Sequence, residues 1–210
     1  KDVTPVCFVG DGNTVDIGFQ NLSGAAERGE NILYICYDNE GYMNTGYQKS
    51  STTPSGAWTS TTQVGSVGKG KPTHAKDMPL LMAMHDIPYT ATATLSNLED
   101  YAAKLLKAKE AIKHGLAYIH LYTPCPVGWK LAPDSTIEMC RMAVESNFFP
   151  LWEAENGNIH FTYESKEAKP LNTFIKMARK FSHLTDEDVQ ALQERLEYRY
   201  SRLQKLAGTC

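Results

Sequence analysis

Apolar residues recur along this chain in two rhythms. Unbroken short runs at 5–9, 32–36, 88–95 and 117–122 read as buried strands, and between them apolar positions fall three and four apart, the helical period. Val15, Phe19, Leu22 and Ala26 form one stripe on a predicted helix over 14–28, stopped by Gly29. Residues 78–85 predict a short helix with Pro79 in its first turn. Leu98, Ala102, Leu105, Lys109 and Ile112 trace another, opened by a Ser96/Glu99 capping box and closed by Gly115. A Ser135/Glu138 box predicts a helix to residue 146 with Ile137, Cys140 and Val144 inward. Residues 171–181 and 185–206 are helical by pattern. The second has a Thr185/Asp188 box and an apolar side running from Val189 through Leu192, Leu196 and Leu203, and reads as a surface element of its own subunit. Strands at 149–154 and 159–163 flank Glu155-Asn156-Gly157-Asn158, the chain's hairpin signal.

Strands alternating with helices argue for an α/β fold, a mostly parallel sheet with helices on both faces. Ligands of such sheets sit at the carboxyl ends of the strands. Polar clusters fall there: Gly10-Asp11-Gly12, Asp38-Asn39-Glu40-Gly41-Tyr42, and Thr123 to Trp129. The stretch 38–76 has little periodicity and is too long for an incidental loop, which marks it as functional. The Asp11 carboxylate, the Asn39 amide oxygen and a carbonyl near Gly41 suit octahedral magnesium together with phosphate and water. Gly10 and Gly12 permit close backbone approach, and amides around Asn13 and Thr14 would face a phosphate. Asn44, Thr45 and Gln48 could hydrogen-bond a cofactor or substrate, with Tyr42, Met43 and Tyr47 as walls. A lone GDG fits a purely structural turn as well.

With 210 residues, 42% hydrophobic and 21% charged, the chain can bury a substantial core. A net charge of −3 without dense basic runs leaves no footprint for nucleic acid or a membrane surface. No apolar run approaches the ~20 residues of a membrane span and no leader pattern opens the chain, so a cytoplasmic location is expected. Five scattered cysteines argue against a disulfide framework. Cys7, Cys36 and Cys140 read as buried thiols. Cys125 is held between prolines, a rigid placement suited to a thiolate ligand. A [4Fe–4S] cluster needs four thiolates and the chain has no CxxC, which leaves a structural thiol open. Residues 65–71 (GSVGKGK) read as a solvated linker, the alternative being that Lys69 and Lys71 meet an anionic substrate or a coenzyme A phosphate. The six histidines show no catalytic or zinc spacing and are given no chemical role.

Twenty-six residues, one helix and one strand by pattern, separate Gly12 from Asn39, and GDG followed at that remove by Asn resembles the thiamine diphosphate motif. The runs Asp16-Ile17-Gly18, Leu22-Ser23-Gly24-Ala25, Glu27-Arg28-Gly29 and Tyr34-Ile35-Cys36-Tyr37-Asp38-Asn39-Glu40 carry the resemblance further. So do Tyr42-Met43-Asn44-Thr45-Gly46 with Gln48, Ser50-Ser51-Thr52-Thr53-Pro54, Gly56-Ala57-Trp58-Thr59 and Pro124-Cys125-Pro126-Val127-Gly128-Trp129. Over nearly its whole length the chain resembles the beta subunit of 2-oxoacid:ferredoxin oxidoreductases, closest to the pyruvate synthase type.

The resemblance implies a thiamine diphosphate-binding fold, expected here as a fragment whose first strands and further cysteines lie upstream. It implies a cofactor domain over 1–165 and a helical extension over 166–210 packed on it. Asp11, Asn39 and Gly41 would hold Mg2+. Gly10, Asp11, Gly12, Asn13, Asn39, Gly41, Tyr42, Met43, Asn44 and Thr45 would surround thiamine diphosphate, with Asn44 catalytic beside the reacting carbon. Cys125 would be the last ligand of a [4Fe–4S] cluster. The implied reaction is oxidative decarboxylation of a 2-oxoacid, pyruvate first, to acetyl-CoA and CO2, with electrons passing through clusters to ferredoxin. Alpha, gamma and delta-type subunits are the implied partners. Asn13 and Phe19-Gln20 depart from the Asp and Gly-Asn of single-chain members. Oxalate or another 2-oxoacid, a non-redox thiamine diphosphate carboligase or decarboxylase needing neither Cys125 nor iron, and a non-catalytic scaffold subunit are the alternatives.

Overall fold

The computed structural model describes residues 3–165 and 167–208. Six strands, β1 (Val6–Gly10), β2 (Leu33–Asp38), β3 (Tyr89–Thr94), β4 (Ala117–Tyr122), β5 (Leu151–Glu155) and β6 (Asn158–Tyr163), form one sheet in the order β1-β2-β4-β3-β5-β6. The first four are parallel. β5 runs antiparallel on β3 and turns into β6 through Asn156 and Gly157, whose φ of 49° and 79° a tight hairpin requires.

Side chains alternate across a sheet, so neighbouring residues of one strand serve different layers. Ile35, Ala91 and Ile119 pack against Ala108 and Ile112 of α3 (Leu98–Ala111) and the residue beyond it. Cys36 and Tyr118 face the other way, onto α1 (Phe19–Glu27) and α2 (Met78–Ala83). Both faces are thus covered, as the apolar runs predict. At the carboxyl edge α4 (Pro126–Trp129), α5 (Thr136–Glu145), α6 (Leu171–Ile175) and α7 (Asp186–Leu206) build a further core around Trp129, Phe174, Phe181 and Leu196. α7 reaches back along the sheet, where Leu203 meets Trp152 and Leu80.

Local structure departs from the pattern in places with identifiable causes. The predicted helix over 14–28 starts at Asp11 and passes through a π-helical turn at Asn13–Ile17, where the Gly18 amide donates to the Asn13 carbonyl at 2.7 Å. Its stripe survives, with Val15, Leu22 and Ala26 buried. Neither capping box forms: Asn97, not Ser96, opens α3, with the Ser96 hydroxyl donating to its Oδ1 at 2.7 Å, and Ser135 stands at the N-cap of α5 without a side-chain capping bond. The buried side of α3 holds Lys104, Ala108 and Ile112, while Leu98 is exposed; Ile137 is exposed as well. The 171–181 helix stops at Ile175 and resumes only as a 3-10 turn at Arg179–Phe181. The Thr185/Asp188 box forms in full.

Candidate cofactor and metal site

β1 and β2 are neighbours in register, Gly10 beside Tyr37, so the turns that follow them meet at one edge. Asp11 is buried there. Its Oδ2 accepts from the hydroxyls of Ser50 at 2.5 Å and Thr52 at 3.0 Å, and its Oδ1 faces Asn39, whose backbone amide lies 3.4 Å away. One terminal atom of the Asn39 side-chain amide lies 3.0 Å from Asp11 Oδ1 and 2.8 Å from the Gly41 carbonyl oxygen. With nitrogen turned inward it donates to both. With oxygen turned inward, three oxygens converge with no proton between them. An octahedral magnesium ion with ligands at 2.0–2.1 Å sets adjacent oxygens about 2.9 Å apart, close to both of these separations.

The 39–41 backbone explains why Gly41 is the carbonyl left over. Trp129 Nε1 donates to the Asn39 carbonyl at 2.9 Å and Thr53 Oγ1 to the Glu40 carbonyl at 2.7 Å. Glu40 itself sits at φ 62°, with its amide on Asp38 Oδ1 at 2.8 Å and its carboxylate on Lys180, whose ammonium lies over the Trp129 ring. Glycine is required at 12, where a Cβ would lie 2.4 Å from the Tyr42 ring; the Tyr42 hydroxyl donates to the Gly12 carbonyl at 2.8 Å.

The electrostatics single out Asp11. Burial and the neighbouring Asp38 push its carboxyl up to about 7, against the donors Ser50, Thr52 and Asn39. Burial also acts on Asp38, but bonds to His120 and Thr52 and to the Glu40 amide hold it below the ordinary carboxylate value. Burial opposes charge on His120, yet Cys36 and Asp38 outweigh it and raise it to about 10. Glu40 is pushed to about 7 by burial despite Lys180. Asp38 and Glu40 each have a cation in the chain. Asp11 has hydroxyls and amides only, the donor set of a carboxylate that a divalent cation would neutralise.

The remaining residues divide. Asn13 is exposed at the first turn of the helix. Tyr42 closes a turn with Gln48, its amide donating to the Gln48 carbonyl at 2.9 Å, and inside that turn Thr45 and Gln48 bond each other while Asn44 is exposed. Met43 packs on the carboxyl-edge core beside Gly128. Tyr47, suggested as a wall, is buried against Ala57 and Trp58 instead. Cys125 is half-buried ahead of α4, accepting from the Gly128 amide at 3.4 Å. Among the described residues the grouping of three or more His, Cys, Asp or Glu ligand atoms is Glu153, Glu155 and His160, far from it in the sequence.

Sequence reasoning missed the hydroxyl layer of Ser50, Thr52 and Thr53, the His120–Asp38 contact at 2.9 Å, and the buried lysines Lys71, Lys104 and Lys180. Lys71 is no solvated linker residue: its ammonium donates to the carbonyls of Ser51, Thr53 and His74. The one available signal for the hydroxyl layer is the run of five hydroxyl and proline residues at 50–54.

A mostly parallel sheet with a buried carboxylate, a side-chain amide and a carbonyl gathered at its carboxyl edge defines a class of cofactor-binding domain. Residues 1–121 match the thiamine pyrophosphate enzyme family, C-terminal TPP binding domain, and the chain belongs to that family. More particular are its relatives. The pyruvate synthase subunit PorB of Methanothermobacter thermautotrophicus is 49% identical over 92% of this chain and 66% of its own length. The ketoisovalerate oxidoreductase subunit VorB of Pyrococcus abyssi is 46% identical over 96% of this chain and 65% of its own. The NADH-dependent phenylglyoxylate dehydrogenase subunit beta of Aromatoleum evansii is 46% identical over 93% of this chain and 44% of its own. The chain therefore spans just under two thirds of the first two and less than half of the third. Among the described residues no helix is long and apolar enough to cross a membrane.

Proposed function

We propose that this chain is the cofactor-holding part of the beta subunit of a 2-oxoacid:ferredoxin oxidoreductase, acting on pyruvate with coenzyme A. The observation that carries this reading is the convergence of the Asp11 carboxylate, the Asn39 side-chain amide and the Gly41 carbonyl, in a chain 49% identical to a pyruvate synthase subunit. Asp11 Oδ1, Asn39 Oδ1 and the Gly41 carbonyl would hold Mg2+, Oδ2 of Asp11 being tied back by Ser50 and Thr52 so that Oδ1 points to the ion. The amides of Gly12 and Asn13, at the positive end of the first helical turn, would face the diphosphate. Asn44, Thr45, Tyr42 and Met43 would lie alongside the rest of the cofactor, with Asn44, exposed on its turn, nearest the substrate. When bound, thiamine diphosphate supplies the carbanion that attacks a 2-oxoacid ketone. The chain's own residues orient it, exclude water on the buried side and fix the charge of the ion. Cys125 would be one ligand of a [4Fe–4S] cluster whose other thiolates come from outside this chain, and the enzyme would need its alpha, gamma and delta-type subunits and ferredoxin.

The test is anaerobic, on the complex purified with the subunits that accompany this chain: 2-oxoacid-dependent reduction of ferredoxin, with and without coenzyme A. Reduction with pyruvate that requires coenzyme A is the expected result. Preference for a branched or aromatic 2-oxoacid, the substrates in two relatives' names, keeps the reaction and replaces the substrate. No reduction with any acid by a complex that retains thiamine diphosphate overturns the redox reading.

A further inference from the structure

Beyond the wall made by Asp38 and Thr52 lies a second concavity, between α7, the 74–79 segment and the sheet, enclosing about 100 Å3. None of residues 10–13, 39 or 41–45 lines it. Its body is apolar, with Leu80, Phe149, Trp152, Leu196 and Leu203 among its walls. Its rim is cationic. Arg195, Arg199 and Arg202 recur at i, i+4 and i+7 on one side of α7, and His74 and Lys76 also line it.

These charges exceed what the chain neutralises. Asp77 is held by Arg199 at 3.2 Å, and the deeper acids Asp38 and Glu40 are engaged by His120 and Lys180. Arg195 has the Tyr198 ring at 5.1 Å, and the Nε atoms of Arg195 and Arg199 are buried without an acceptor. Burial, then Arg195, Lys71 and Arg199, hold His74 below its ordinary value, the mark of a positive local field. A buried donor left unmet costs about 1–3 kcal/mol, and a planar carboxylate matches a guanidinium fork. A cavity of about 150 Å3 takes one benzene ring, so this one admits on the order of four to six non-hydrogen atoms.

We infer that this cavity binds a short-chain organic carboxylate, its head on Arg195 and Arg199 and its alkyl group against Phe149 and Trp152. The site borders the cofactor turn through Asp38, Glu40 and Thr52 but takes in none of residues 10–13, 39 or 41–45, and the inference does not depend on the redox reading.

The probe is isobutyrate, which lacks a 2-oxo group, added to the full-length protein with its subunits and saturated with thiamine diphosphate and Mg2+. Saturation-transfer NMR and equilibrium dialysis report binding. Expected are saturable binding, a loss of at least about tenfold in Arg195→Gln from one charge-assisted pair, and unchanged affinity in Asn44→Ala. Neither isobutanol nor inorganic phosphate at equal concentration should displace the probe. No saturable binding, full affinity in Arg195→Gln, or loss in Asn44→Ala overturns the site. Equal displacement by phosphate overturns the carboxylate assignment in favour of a bare-anion site. Cofactor retention, measured in parallel, reports folding; should Arg195→Gln lose it, Arg199→Gln is held to the same tenfold criterion.

Discussion

Asp11 and Glu153 are both carboxylates buried at the sheet, and they are treated in opposite ways. Glu153 receives the Tyr89 hydroxyl, the Lys107 ammonium at 2.5 Å and the His160 ring at 2.7 Å. Burial works to raise it, but those three partners win and hold it below its ordinary value. Its neighbours Glu155 and His160 have the composition of a metal site, yet Lys107 bonds both Glu153 and Glu155 and supplies the cation itself. Asp11 has no such partner: hydroxyls and amides meet its carboxylate, and its Oδ1 faces the Asn39 side-chain amide, which also reaches the Gly41 carbonyl. A buried acid that the chain itself neutralises is structural. One met only by hydroxyls and amides is arranged for a charge from outside.

Glu40 stands between these cases, because its cation comes from a distant part of the sequence. Both Glu40 and Lys180 are almost wholly buried, with side chains 3% and 0% exposed. Lys180→Met should therefore have the largest effect, leaving a buried acid unpaired at about 3–5 kcal/mol of stability in urea unfolding. Glu40→Gln in the same molecule should restore most of it. A single-variant loss under about 1 kcal/mol would show that Glu40 is protonated and does not rely on Lys180. Glu40 lies between Asn39 and Gly41, so Lys180→Met should also weaken Mg2+-dependent cofactor retention, which the double variant should regain only in part.

Next in size is Asp11→Asn. It removes the one charged member of the oxygen cluster and should lower Mg2+-dependent thiamine diphosphate retention on the order of 100-fold by equilibrium dialysis. Retention at wild-type affinity would refute the cluster as the ion's site. The same variant breaks the comparison with Glu153 in its pH dependence. An acid raised to about 7 when folded binds more protons in the native than in the unfolded chain. Its contribution is present below the unfolded value near 4 and is lost as pH rises through about 7. Glu153, lowered on folding, contributes above its unfolded value near 4.5 and loses that contribution as pH falls. Metal-free wild type should thus lose stability between pH 5 and 7 more steeply than Asp11→Asn, with Glu40 keeping part of the slope in both, and saturating Mg2+ should flatten it. Identical slopes for the two proteins would remove the uncompensated charge from Asp11.

The difference between the two acids was only partly visible in the residues. The strands and their order of burial were legible because four parallel strands covered on both sides need unbroken apolar runs, and Ile35 beside Cys36 or Ile119 beside Tyr118 satisfies both layers at once. The turns after β1 and β2 were legible because glycine and short polar residues are the currency of tight turns. The π-helical turn was not, since it is set by backbone bonds such as that from Gly18 to Asn13, which the side-chain pattern does not show. Capping boxes failed at Ser96, which lies one residue before the α3 start, and at Ser135, whose side chain makes no capping bond, and held in full at exposed Thr185. Lys71 and Lys180 could not be found at all: a lysine in isolation reads as solvated, and burial comes from carbonyls or a carboxylate far along the chain.

Glu153→Gln gives the smallest effect and draws the line between the two acids most sharply. Gln keeps the length of the side chain and one acceptor, so Tyr89 retains a partner, while Lys107, half exposed, can turn to Glu155 or to water. What is lost is the charge-assisted part of three hydrogen bonds, about 1–3 kcal/mol in thermal or urea unfolding. Cofactor and Mg2+ retention should stay at the wild-type value, because no hydrogen bond or ion pair among the described residues joins the hairpin to the 39–41 turn. If Glu153→Gln instead lowered Mg2+ binding as Asp11→Asn does, the hairpin acids would be part of the ion's environment, and possession of an internal cation would no longer separate a structural carboxylate from a ligand.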